Sequence, residues 1–143
     1  MDWAVVDASV AIKWVYSEEL SSSAIALRTQ LLLTAPDILL AECANILWKK
    51  VRRGELDPQE AILSASALRR SGVELVAGSD LVEGALALSV ELDHPAYDCF
   101  YLELSRSKGL PLVTADARLI RKLAQSSFGR RLAMISLSDI SPS

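Results

Sequence analysis

Two acidic residues stand directly after short apolar runs, at positions from which their side chains could act together. Asp7 follows Ala4-Val5-Val6 without a gap, and Asp116 follows Leu112-Val113-Thr114 after one residue. Ligands of open α/β sheets bind beyond the carboxyl ends of the strands. If both runs are parallel strands, Asp7 and Asp116 therefore face one crevice.

Two further acids fall near the starts of predicted helices. Glu42 lies in the first turns of a long helix, and Asp98 lies in the first turn of another. Helix N-termini that follow strands point toward the same sheet edge and favour negative charge. Four carboxylates gathered there would repel one another unless one or two divalent cations offset them. An all-oxygen ligand set favours Mg²⁺ or Mn²⁺ over zinc, and such an ion can polarise a phosphodiester and activate water.

Each acid also has an ordinary explanation. Asp7 and Asp116 could cap the helices that follow them. Glu42 could be a solvated helix residue, and Asp98 could interact only with the helix dipole. Position alone leaves a metal site and these structural roles about equally supported.

The rest of the chain predicts the scaffold that would position the acids. Apolar runs without polar alternation, which are typical of strands covered on both faces, alternate with helical periods. The predicted strands are 4–6, 31–35, 73–76, 112–114 and 133–137. The predicted helices run from Asp7 to about Val15, then over 21–30, 36–53, 57–72, 79–92, 96–108 and 117–125. This order predicts an α/β fold with a mostly parallel sheet between helices.

Composition limits the class of protein. The chain has 143 residues, 51% of them hydrophobic and 23% charged, which is typical of one globular domain spanning 1–143. Its formal net charge of −3 argues against binding nucleic acid through bulk positive charge. No apolar run approaches the ~20 residues that a membrane span needs, and we expect a cytoplasmic protein. Cys43 and Cys99 form no CxxC pair and are expected to be buried thiols.

Four segments that contain the acids are distributed over nearly the whole chain: Val5–Trp14 (VVDASVAIKW), Glu42–Trp48 (ECANILW), Tyr97–Ser105 (YDCFYLELS) and Gly109–Asp116 (GLPLVTAD). In this order they resemble the motifs of the PIN-domain family. The similarity is greatest to VapC-type toxins of toxin–antitoxin pairs.

This resemblance implies a three-layer α/β/α fold with a five-stranded parallel sheet, in which the first and fourth strands are adjacent. It implies that Asp7, Glu42, Asp98 and Asp116 bind Mg²⁺ or Mn²⁺ and catalyse hydrolysis of RNA. We expect direct metal contacts from Asp7 and Asp98, and contacts partly through water from Glu42 and Asp116. The family also implies a homodimer and inhibition by a VapB-type antitoxin.

Three residues match supporting positions of the family or lie beside the acids. Ser9 and Thr114 stand where the family has small hydroxyl residues, and their alternatives are a helix cap and a strand-forming residue. Asn45 lies one helical turn after Glu42 and could orient that acid or satisfy a backbone group. His94, the only histidine, has no evident catalytic partner and is interpreted as a surface-loop residue.

The apolar residues Trp14, Leu47, Trp48 and Val51 could form an antitoxin groove, although core packing is the favoured explanation for most of them.

Two other functions remain to be compared with the nuclease. A receiver-like phosphate-signalling domain would need an acceptor Asp after the third strand, where this chain has Ala77-Gly78. A PIN-like domain that binds without cleaving would be indicated by lost acids, yet all four are present.

Overall fold

One or two α-helices separate each strand from the next in a computed structural model that describes residues 1–142. The strands are β1 (Trp3–Val6), β2 (Leu32–Pro36), β3 (Glu74–Val76), β4 (Leu112–Thr114) and β5 (Met134–Ser136). The helices are α1 (Ala8–Ala11), α2 (Ser21–Gln30), α3 (Ile38–Arg52), α4 (Pro58–Arg69), α5 (Val82–Leu92), α6 (Ala96–Lys108) and α7 (Ala117–Ala124).

The five strands form one parallel sheet in the order β3-β2-β1-β4-β5. The predicted α/β class and the adjacency of the first and fourth strands are therefore confirmed. A receiver-like domain would have the doubly wound order 2-1-3-4-5, so the observed order contradicts that alternative.

Helices cover both faces of the sheet. Val5 and Val6 are fully buried, as are Leu112 and Val113, although successive strand residues point to opposite faces. Helix α6 packs against β1, β2 and β4, while α2 packs against β2 and α7 against β5. This covering explains why the central strands read as unbroken apolar runs.

Several predicted boundaries needed correction. The segment after Asp7 divides into α1 and a 3₁₀ turn at Ile12–Trp14. Pro36 ends β2 instead of opening α3; the register with β1 already ends at Thr34, so its missing N–H does not interrupt that ladder. A 3₁₀ turn at Gly78–Asp80 precedes α5, which therefore begins at Val82.

The predicted start of α4 is correct. Asp57 accepts a hydrogen bond from the Glu60 N–H at 2.8 Å, and the Glu60 side chain accepts one from the Asp57 N–H at 3.1 Å. This capping box, with Pro58 in the first turn, satisfies two N–H groups that would otherwise lack partners.

Candidate active site

The adjacent ends of β1 and β4 position Asp7. Its two carboxylate oxygens each accept one hydroxyl hydrogen bond of 2.5 Å, Oδ1 from Ser9 and Oδ2 from Thr114. The Ser9 hydroxyl also accepts a 2.9 Å bond from the Ala115 N–H. Asp7 precedes α1, but its side chain makes no capping hydrogen bond. The structure thus joins Asp7, Ser9 and Thr114 in one network and does not support a capping role for Asp7.

Burial makes the charge on Asp7 costly. The residue is 9% exposed, and the pKa of its carboxyl is raised from 3.8 to about 6, chiefly by desolvation. The Ser9 and Thr114 hydrogen bonds act against this rise, and the nearby Asp98 charge contributes to it. The network therefore offsets only part of the desolvation penalty.

Glu42 projects from α3 toward a buried phenol on α6. The Tyr101 hydroxyl donates a 2.5 Å hydrogen bond to Glu42 Oε1, and Tyr101 is only 2% exposed. Burial raises the pKa of Glu42, and the Asp98 charge adds to that rise. Tyr101 is a contact that sequence reasoning missed, because no local spacing links residues 42 and 101.

Asp98 is paired with the histidine. Nε2 of His94 lies 2.6 Å from Asp98 Oδ2, and the His94 side chain is only 14% exposed. On its other side, His94 Nδ1 lies 3.0 Å from Nζ of Lys122 in α7. His94 lies in a loop, as predicted, but it is mostly buried and paired with Asp98, so its interpretation as a surface residue was wrong. Its position four residues before Asp98, where side chains meet across a helical turn, was an available signal.

Asp116 has a different environment from the other three acids. It is exposed, and its Oδ1 accepts hydrogen bonds from the N–H groups of Arg118 at 3.0 Å and Leu119 at 3.2 Å. These bonds cap α7, as the structural alternative predicted for this residue. The Asp116 N–H in turn donates to Thr114 Oγ1 at 3.1 Å, which connects the cap to the hydroxyl network.

The acids have suitable chemistry for a hard divalent cation but do not form a ready-made cage. Within residues 1–142, no group of three or more His, Cys, Asp or Glu side chains is arranged to hold a metal ion. Three acids each keep an oxygen without a hydrogen bond to any described residue: Oε2 of Glu42, Oδ1 of Asp98 and Oδ2 of Asp116. These oxygens, together with the buried Asp7 carboxylate, are the donors that such a cation would use.

A groove of about 490 Å³ lies beside Glu42. Its lining includes Glu42, Asn45 and the side of Tyr97, which is 68% exposed. Asn45 is exposed, and its side chain makes no hydrogen bond with another described residue. Its amide therefore satisfies no neighbouring backbone group within residues 1–142 and is open to a ligand, and its role beside Glu42 stays a prediction.

Two other groups of residues can now be assigned. Cys43 and Cys99 are buried free cysteines, and burial raises the pKa values of their thiols to about 12 and about 11. Of the suggested docking residues, Leu47 is buried, whereas Trp48 is 52% exposed.

No helix within residues 1–142 is long and apolar enough to cross a membrane.

Comparison with known proteins gives the family. The profile of the PIN domain matches residues 4–125, which is most of the chain. The chain belongs to the PIN domain family. It is 31% identical over 121 residues to Ribonuclease VapC3 of Pyrobaculum aerophilum, covering 82% of this chain and 92% of that protein. The resemblance inferred from the four motifs is thus confirmed.

Two solved structures resemble this PIN domain. The crystal structure of PAE2754 from Pyrobaculum aerophilum has a TM-score of 0.68 at 25% identity, over 96% of this chain and 85% of that one. VapC20 of Mycobacterium tuberculosis, described as a sarcin–ricin loop cleaving toxin, has a TM-score of 0.64 at 17% identity over 98% of both chains. The second likeness supports the fold alone.

Proposed function

We propose that this PIN domain is a VapC-type toxin, an endoribonuclease that hydrolyses RNA phosphodiester bonds with Mg²⁺ or Mn²⁺. The observation that carries the proposal is the concentration of unfavourable negative charge at the sheet edge. Burial raises the pKa values of Asp7 and Glu42, and the charge of Asp98 adds to both. A bound cation would relieve this cost. The similarity to Ribonuclease VapC3 supports the same activity.

The chain's own residues would prepare the site. Ser9 and Thr114 hold the Asp7 carboxylate from both oxygens, and Tyr101 holds Glu42, so neither acid can turn freely. Asp7, Glu42, Asp98 and Asp116 would be the cation's protein ligands. A divalent cation held there supplies charge neutralisation to a phosphodiester and makes water a better nucleophile.

The groove beside Glu42 is where RNA would lie. The exposed ring of Tyr97 offers a surface for stacking a base, and the Asn45 amide offers both a donor and an acceptor. With a net charge of −3, the protein cannot rely on general attraction to phosphate. RNA affinity would come from the cation and from local contacts in this groove.

The direct test is cleavage of mixed RNA by purified protein with Mn²⁺ or Mg²⁺, and then with EDTA. We expect cleavage that EDTA abolishes and that Asp98→Asn reduces at least 100-fold, on the order of the loss of one electrostatic catalytic group. Asp93→Asn is the matched control. It removes a neighbouring exposed carboxylate, and Asn tolerates the left-handed backbone (φ 51°) of residue 93. Cleavage that survives both EDTA and Asp98→Asn would contradict the proposal.

A binding-only PIN domain is the second candidate. It is favoured by the absence, within residues 1–142, of three acids arranged to hold an ion. That candidate predicts RNA or protein binding without cleavage, and no rise in melting temperature with Mn²⁺. The nuclease predicts stabilisation of about 2.7 kcal/mol when the ion concentration is 100 times its Kd.

We also propose a homodimer and neutralisation by a VapB-type antitoxin. Val82, Leu86 and Val90 are exposed at four-residue intervals on one side of α5, a stripe suited to a second copy. Light scattering should give a dimer mass for the wild type and a monomer mass for Leu86→Lys. A wild-type monomer at micromolar concentration would contradict the dimer.

The antitoxin is tested by addition of the purified VapB-type protein, which should suppress RNA cleavage.

A further inference from the structure

His94 is held between an acid of the proposed site and a lysine outside it. Its Nε2 lies 2.6 Å from Asp98 Oδ2, and its Nδ1 lies 3.0 Å from Lys122 Nζ. Asp98 is 40% exposed, but the imidazole that contacts it is only 14% exposed. The three side chains form a continuous chain of polar contacts from α7 to the first turn of α6.

The chemistry of the two ends determines how the ring must be protonated. An ammonium group has only donors, so Lys122 must donate and His94 Nδ1 must accept. The ring proton then lies on Nε2, where it donates to the Asp98 carboxylate, which accepts. Lys122 therefore selects the tautomer of His94 that can hold Asp98.

The backbone around His94 is anchored as well. The Ser89 hydroxyl donates to the His94 carbonyl at 2.5 Å, and the His94 N–H donates to the Ser89 carbonyl at 3.2 Å. Lys122 also donates to the Asp93 carbonyl at 2.7 Å, so it holds both the ring and the adjacent peptide. The following residue, Pro95, restricts His94 to extended backbone. Little freedom is left for the ring to leave Asp98.

We propose that His94, oriented by Lys122, is a positioning residue that fixes Asp98 for cation binding. This inference rests on the proposed metal-dependent function. The hydrogen bond restrains Oδ2 of Asp98, while Oδ1 has no hydrogen bond to any residue within 1–142 and remains available. Partners that orient a metal-binding carboxylate in this way commonly change metal affinity about 10-fold to 100-fold when they are removed.

The test is Mn²⁺ affinity measured by calorimetry on the full chain, which does not depend on RNA cleavage. His94→Leu removes the donor and should weaken Mn²⁺ binding about 10-fold to 100-fold. His94→Gln should keep affinity within about threefold, because its amide nitrogen can donate from nearly the position of Nε2. Melting temperatures in EDTA identify any loss that comes from unfolding. Rescue by glutamine, with similar melting temperatures for both variants, separates positioning from a general structural role.

Lys122→Met gives a second readout, in which two explanations predict opposite signs. Simple electrostatics predicts tighter Mn²⁺ binding when a nearby positive charge is removed. The positioning role predicts weaker binding by several-fold, because the His94 ring loses the contact that selects its tautomer. Arg121→Met is the matched control, since it removes an exposed charge from the same helix without a contact to His94.

The outcomes separate this inference from the proposed function. If His94→Leu binds Mn²⁺ as tightly as the wild type while Asp98→Asn loses binding, the positioning role is wrong and the metal site stands. Tighter binding by Lys122→Met would likewise contradict the role of Lys122. If the wild type binds no Mn²⁺ at millimolar concentration, the proposed function fails and the positioning role fails with it.

Discussion

Asp7→Asn should stabilise the protein in the absence of metal, by an amount that depends on pH. The carboxyl has a pKa of about 6 in the folded protein against 3.8 ordinarily, because it is buried. The folded state therefore binds a proton more tightly than the unfolded state. As pH rises from 3.8 to about 6, ionisation of Asp7 lowers the free energy of unfolding. The full penalty above pH 6 is about 3 kcal/mol, at 1.36 kcal/mol per pH unit.

The same relation gives the pH profile. At pH 4.5 the Asp7 carboxyl is almost fully protonated in the folded state and mostly ionised in the unfolded state, and the penalty is about 1 kcal/mol, whereas at pH 7 it is about 3 kcal/mol. The amide of Asn carries no charge and can still pair with the hydroxyls of Ser9 and Thr114. The stability difference between Asp7→Asn and wild type should therefore grow by about 2 kcal/mol from pH 4.5 to pH 7.

Urea unfolding in EDTA at a series of pH values measures this difference. The change with pH is the informative quantity, because any constant effect of the substitution on packing cancels. Asp116→Asn is the matched control for removal of a carboxylate: this side chain is exposed, and Asn caps helices as well as Asp does, so the substitution should change the unfolding free energy little. A flat profile for Asp7→Asn would refute the argument that burial makes this charge unfavourable.

Two further predictions concern buried polar contacts. Tyr101→Phe removes the hydrogen bond to Glu42 and should lower the unfolding free energy by about 1–2 kcal/mol. Tyr97 is exposed, so Tyr97→Phe should change the unfolding free energy by less than about 0.5 kcal/mol. Urea unfolding measures both effects. The ammonium of Lys50 is buried, lies 3.8 Å from the ring centre of Tyr16 and contacts two carboxylates. Lys50→Ala should therefore lower the unfolding free energy by about 2 kcal/mol. Lys49 is exposed, so Lys49→Ala should lower it by less than about 0.5 kcal/mol. Equal effects within either pair, measured by thermal unfolding, would contradict the assigned burial.

The sequence predicts the scaffold well, because local patterns specify it. The central strands are short apolar runs, and the capping box at Asp57 and Pro58 marks the start of α4 without reference to any other element. The errors lie at Pro36 and Val82, where local rules were ambiguous. A proline can close a strand as readily as it opens a helix: the β1 register ends at Thr34, before Pro36, while the β3 register still includes Pro36 opposite Val76.

Within the candidate site, the positions of the acids could be predicted and their partners could not. Strand ends and helix starts indicated where Asp7 and Asp98 would face. The bond from Tyr101 to Glu42 joins a residue of α6 to a residue of α3, which only the tertiary fold brings together. Lys122 reaches His94 across 28 residues of chain, and no periodicity links them. Hydrogen bonds between different helices and strands depend on tertiary packing, which local sequence patterns do not predict.

The difference between Asp7 and Asp116 follows from what each strand end offers. The chain after β1 turns directly into the buried helix α1, so Asp7 is enclosed and its oxygens take hydroxyl donors from Ser9 and Thr114. The chain after β4 passes one more residue before α7, so Asp116 reaches solvent and caps that helix with one oxygen. Stability without metal is therefore sacrificed at Asp7 and gained at Asp116. Under the proposed function, a bound cation would offset the cost of the buried Asp7 charge. Binding of the ion would therefore raise the free energy of unfolding.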